Sequence, residues 1–137
     1  MVNLLRRASS SDSDPAFLVD WLRLLNTRRA FVRAWDDFLS NVDALLCPVA
    51  MIPAFPHTQT GSELNVDAEL VGYWSLGRYL TPFNLVGAPA IVMPLSLSHD
   101  GLPIGLQVVG VRRSDRRLLA VARAIEPYTI GFLRPPA

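Results

Sequence analysis

The sequence predicts an α/β fold on three observations. Phe17, Trp21, Leu24, Phe31, Trp35 and Phe38 recur at spacings of four, three, seven, four and three, which lays them on one helical stripe. Two short apolar runs, Ala90–Leu97 and Ile104–Val109, flank the turn residues His99-Asp100-Gly101, as the strands of a hairpin do. Leu118, Val121, Ala122 and Ile125 then return to helical spacing behind a candidate cap at Ser114 or Asp115.

Each element follows from local chemistry. Residues 1–13 end in Ser9-Ser10-Ser11-Asp12-Ser13, small and polar, and read as a flexible tail ahead of one domain over 14–137. Asp14 can accept hydrogen bonds from the orphan amides of a first helical turn. Pro15 suits the first helical position because its missing N–H goes unpaired there anyway. The predicted helix runs from about 15 to 40, with only Arg28 interrupting its stripe and Leu18, Leu22, Leu25, Val32 and Leu39 widening it. Val42–Cys47 is a short apolar run closed by Pro48, which suits a buried strand. Pro48, Pro53 and Pro56 make residues 48–63 an extended loop. Leu70, Trp74, Gly77 and Leu80 suggest a second helix over about 66–83, although Gly72 and Gly77 each weaken it by roughly 1 kcal/mol relative to alanine. Gly87 is placed to end that segment. The hairpin follows, then the last helix, which Pro127 is expected to stop.

Composition bounds the function. At 137 residues the chain fits one domain, with half its residues hydrophobic and 18% charged. A net charge of +1 gives no strong pull toward nucleic acid or an acidic membrane, so neither is expected as a partner. One cysteine, Cys47, excludes an internal disulfide framework and fits a reducing compartment. The longest apolar stretch, Leu85–Leu97, is broken by Gly87, Pro89 and Pro94, too short and too interrupted to span a bilayer. The start lacks a long apolar core after Arg6-Arg7, so the expected location is the cytoplasm.

The block Tyr79–Gly110 carries a resemblance. Asn84-Leu85-Val86-Gly87-Ala88-Pro89-Ala90 before an apolar strand, then Gly101-Leu102-Pro103-Ile104-Gly105-Leu106-Gln107 in the next, resembles the carboxy-terminal part of amidase-signature enzymes. Trp35-Asp36-Asp37-Phe38 leading to Val42-Asp43-Ala44-Leu45-Leu46-Cys47-Pro48 looks like that family's helix feeding a strand, with Cys47 where threonine is common. The resemblance runs from about residue 20 to 127. It implies a partial amidase-signature fold: a fragment of mixed sheet with flanking helices, and strand edges left open to association.

The resemblance also implies acyl-transfer chemistry, in which a serine attacks an amide carbonyl while a lysine and a bridging serine move the protons. Every one of the 13 basic residues here is an arginine, so the lysine of that triad is missing. The triad region would precede Met1, and Ser9-Ser10-Ser11 has neither flanking glycines nor lysine to replace it. No catalytic residue carries over. Under the resemblance Tyr73–Phe83 lies beside the acyl pocket, which makes Trp74, Tyr79 and Phe83 the candidate substrate-binding residues and the 49–62 loop part of the entrance. Where the glutamyl-tRNA amidotransferase branch anchors glutamine with an acidic residue, this sequence has Gly77, so an apolar or aromatic amide is the expected substrate. That substrate is expected to bind only with the missing amino-terminal part present.

Other chemistry has weaker support. Cys47 with His57 or His99 would form a thiol dyad, but Cys47 reads as a buried thiol and both histidines as loop surface. Their spacing suits no metal site, and no glycine-rich loop precedes a helix, so neither metal nor cofactor is expected. The arginine pairs 6–7, 28–29, 112–113 and 116–117 read as solvated helix faces. Asn84, Gly87, Pro89 and Gln107 read as structural. Two functions follow: the carboxy-terminal part of an amidase, inactive alone, or a non-catalytic binding or interaction module derived from one.

Overall fold

The computed structural model describes residues 15–134. The 1–13 tail and the Asp14 cap lie outside those residues. Helix α1 (Pro15–Ser40) is followed by β1 (Leu45–Pro48), a hairpin of β2 (Glu63–Val66) and β3 (Glu69–Gly72), and a 3-10 turn over Tyr73–Gly77. Then come α2 (Thr81–Val86), β4 (Ala90–Leu97), β5 (Pro103–Val109), α3 (Asp115–Ile125) and a 3-10 turn over Glu126–Tyr128. No helix among the described residues is long and apolar enough to cross a membrane.

The main sheet has the order β1-β5-β4 and is antiparallel throughout, as is the β2–β3 hairpin, so the parallel pairing that a mixed sheet implies is not among the described strands. Strand β5 is the axis, its Val109 facing Leu45 on one side and Ala90 on the other. Alternation along β5 separates two cores. Val108 joins Met93, Leu118 and Ala122 under α3, while Val109 joins Leu39 and Phe83 under α1 and α2. The result is a three-layer helix–sheet–helix arrangement.

The hairpin forms as its sequence suggests. Gly101 takes φ 76°, the Ser98 N–H donates to the Leu102 carbonyl at 2.7 Å, and the Leu102 N–H donates to Ser98 Oγ at 3.1 Å. Pro94 has no N–H, and the ladder slips at a bulge between it and Ser96, on an edge strand that tolerates both. Gly87 ends α2 at φ 72° with its N–H on the Phe83 carbonyl.

Three expectations need correction. The helix over 66–83 does not form. Leu64 and Val66 point inward while Glu63 and Asn65 point out, a period of two that makes a hairpin of this segment. Its turn sets Asp67 and Ala68 at φ 52° and 68°, with the Ala68 N–H on Asn65 Oδ1 at 2.9 Å. The apolar stripe of α1 is mostly exposed: among the described side chains of that helix only Val32 and Leu39 are buried. Strand β1 begins at Leu45 rather than Val42, which lies exposed in the preceding turn. The last α-helix does end at Ile125, ahead of Pro127, and the chain tightens into a 3-10 turn around that proline. Ser114 does occupy the N-cap position of α3, but its hydroxyl turns back to the Val111 carbonyl at 2.6 Å.

Several arginines tie layers together instead of only facing water. Arg28 Nε donates to the Leu85 carbonyl at 2.8 Å, satisfying an orphan acceptor in the last turn of α2. Arg112 Nε lies 2.9 and 3.0 Å from the two Asp36 oxygens, and Arg117 pairs with Asp43 at 2.6 Å. The guanidinium of Arg112 holds the Asp36 carboxyl below its ordinary range, first through the hydrogen bond and then through charge.

Candidate functional site

The 49–62 loop and the segment after β3 meet on one side of the sheet. The Met51 N–H donates to the Leu76 carbonyl at 3.3 Å, and the Tyr73 N–H donates to the Ser62 carbonyl at 2.9 Å. These bonds seat Phe55 edge-on to Tyr73, with ring centroids 6.3 Å apart at 87°, and Tyr73 edge-on to Trp74 at 5.3 Å and 83°. Such geometry sets the positive edge of one ring against the negative face of the next. The outcome is a short aromatic ladder running from the loop to the chain.

The three sequence-predicted wall residues divide along this segment. Trp74 stands 77% exposed at the end of the ladder. Tyr79 is 38% exposed, and its carbonyl accepts from Gln107 Nε2 at 3.3 Å. Phe83 is only 6% exposed and packs edge-on to Trp35 at 5.3 Å, inside the layer between the helices and the sheet. Phe55 and Tyr73, which complete the ladder, were not singled out from the sequence. The confinement of Phe55 between Pro53 and Pro56 is the signal that points to it.

Beside the ladder the loop borders an apolar cleft of about 500 Å³, walled by Pro48–Ala54 and by Val92, Pro103 and Ile104. Its floor is Gly105. A Cβ there would lie 3.0 Å from Val49 Cγ2 and 3.1 Å from Val92 Cγ1, so glycine lets the loop close on the sheet. Gln107 is buried and also donates to Cys47 Sγ at 3.1 Å, which links β5, β1 and Tyr79. Cys47 itself is half-buried.

This arrangement can bind an apolar group. The polar partner of Cys47 is Gln107 rather than a histidine. His99 lies on the surface with its Nδ1 3.3 Å from Asp100, and His57 is exposed in the loop. Among the described residues no three His, Cys, Asp or Glu side chains gather as a metal site would require.

Comparison with known proteins places the chain in a family. The sequence profile of the family described as Amidase matches residues 5–119. The chain is 33% identical over 116 residues to a subunit of the glutamyl-tRNA(Gln) amidotransferase of Thermotoga maritima, a match covering 82% of this chain and 23% of that protein. It is 32% identical over 108 residues to the indoleacetamide hydrolase of Bradyrhizobium japonicum, covering 77% of this chain and 22% of that one. A crystal structure titled as an amidase superposes with a TM-score of 0.70 at 32% identity, over 83% of this chain and 27% of its own. The chain thus spans about a quarter of the length of the relatives it matches. By sequence and by fold alike, this α/β chain belongs to the amidase family.

Proposed function

We propose that this chain supplies the sheet scaffold and one substrate-pocket wall of an amidase whose reacting groups lie in amino-terminal sequence, and that alone it does not hydrolyse amides. The observation that carries the reading is a match over four-fifths of this chain to under a quarter of an amidase relative, in a sequence without one lysine. A lysine of lowered pKa is the base that the family's serine nucleophile requires. Trp74 and Tyr79 form the wall, Phe83 supports it from the core, and the cleft under the 49–62 loop is part of the entrance.

The substrate class is a carboxamide with an apolar or aromatic acyl group. The ladder Phe55–Tyr73–Trp74 and the apolar cleft support this, as does Gly77 in place of an acidic anchor. The relatives named for indoleacetamide and for fatty acid amide are consistent with it.

The test is an assay of the purified chain on simple aryl and alkyl amides. The expected result is no turnover above background. Turnover that Cys47→Ala abolishes would overturn the reading and replace the serine mechanism with a thiol one.

A further inference from the structure

One unexplained surface is the exposed part of the apolar stripe of α1. Phe17, Trp21, Leu24, Phe31 and Phe38 fall within a stripe about 100° wide on that helix, and each is between 36 and 51% exposed. Only the second half of α1 is anchored, through Val32, Trp35 and Leu39 in the core and through Arg28 on the Leu85 carbonyl. Phe31, Ala34, Trp35 and Phe38 also enclose a shallow apolar hollow of about 270 Å³. At roughly 200 Å² per aromatic side chain, the four exposed rings alone leave on the order of 400 Å² of apolar surface in water. That is already the size at which a patch marks a contact site. Leu24, 43% exposed, adds to the same face.

We propose that this face of α1, together with the open edge of β1, seats the amino-terminal portion of an amidase-family polypeptide, and that the two portions hold together without a peptide bond between them. The proposal rests on the reading of this chain as amidase scaffold. Its occupant follows from length: about three-quarters of each superposed relative lies outside the part this chain covers. The edge of β1 away from β5 has no strand partner among the described residues, so a strand can be added there while helices cover α1. Charge agrees. Arg28, the one cation within the stripe, turns to the Leu85 carbonyl, and the neighbouring Arg23 pairs with Asp20 at 3.3 Å. The face therefore fits an apolar partner and offers nothing to an acidic one.

The experiment co-expresses this chain with the Bradyrhizobium japonicum indoleacetamide hydrolase truncated just before the matched segment. In parallel, a covalent chimera carries this chain in place of that segment. The expected result is an equimolar complex by size-exclusion chromatography with light scattering. A Phe31→Ser, Phe38→Ser double variant should weaken it at least ten-fold while keeping its own circular dichroism spectrum. If the chimera hydrolyses indoleacetamide but the separate pieces never associate, the docking proposal falls and the scaffold reading stands. If the chimera misfolds or is inactive, the scaffold reading falls and takes the proposal with it. Complex formation indifferent to the double variant, or a homodimer of this chain that the variant dissolves, also overturns the proposal.

Discussion

Phe83 and Trp74 are nine residues apart and both aromatic, yet the structure gives them opposite jobs, which truncation separates. Phe83 is 6% exposed, in van der Waals company with Leu39 and Val109 and edge-on to Trp35. Truncation to alanine forfeits about 2–3 kcal/mol of apolar transfer. It also loses about 1 kcal/mol of ring–ring geometry and leaves a cavity beneath α1. The sum is about 4 kcal/mol, a large share of the roughly 7–20 kcal/mol that holds a chain of this length folded. Trp74 is mostly in water and touches one ring edge-on, so Trp74→Ala should cost under about 1 kcal/mol. Urea titration followed by far-ultraviolet circular dichroism reads both. At about 1.5 kcal/mol per molar urea, Phe83→Ala should lower the midpoint by more than 2 M and Trp74→Ala by well under 1 M. Equal shifts for the two variants, or a Phe83→Ala shift below about 0.5 M, would refute the assignment of Phe83 to core and Trp74 to wall.

Three further outcomes are expected. Ala68→Gly should raise stability by about 0.5–1 kcal/mol in a thermal melt, because Ala68 sits at φ 68° in a turn whose preferred second residue is glycine. Gly110→Ala should cost about 1–3 kcal/mol, since its Cβ would lie 2.9 Å from Ser114 Oγ and 3.3 Å from Leu118 Cδ1. Adding Ser114→Ala should recover part of that loss, which a double-mutant cycle in urea would show. Asp36 has its folded pKa lowered by Arg112, so its contribution is present above the ordinary carboxylate range near pH 4 and is lost as pH falls through the lowered value. The stability gap between the parent and Asp36→Asn should therefore close on acidification below that range, with melts at pH 7 and pH 3 as the check.

The hairpin was legible because its turn chemistry and its apolar alternation agree. Gly101 supplies the positive φ that the turn demands, and Ala90–Leu97 forms β4 with the limits the sequence suggests. The span of α1 was legible for the same reason, since an apolar period of 3.6 continues from Phe17 to Leu39. Which side of α1 would be buried was not. Periodicity reports that a face is apolar, but only the neighbouring layers decide whether it is covered, and here they reach Val32 and Leu39 while leaving Phe31 and Phe38 outside. The 66–83 segment misleads because Leu70 and Trp74 keep helical spacing by chance, both being exposed, while the informative pair Leu64 and Val66 ends on its first residue. At the candidate site, Trp74 could be picked from its place in the resemblance. The Phe55–Tyr73 contact could not, because it joins two segments brought together by backbone bonds that no local pattern announces.

The position of β5 between β4 and β1 has a consequence for the order in which this chain folds. Strands β4 and β5 close through a turn of a few residues, whereas Leu45 must find Val109 across more than sixty. By loop-closure entropy, a tenfold longer loop costs about 2 kcal/mol more to close. The hairpin can therefore assemble first and present one bare edge as a template, with β1 arriving late and carrying α1 onto the sheet behind it. Mutations in the hairpin should slow folding, whereas those at the β1 seam should chiefly hasten unfolding. The segment most recognisable in the sequence is then also the one about which the rest of the chain organises.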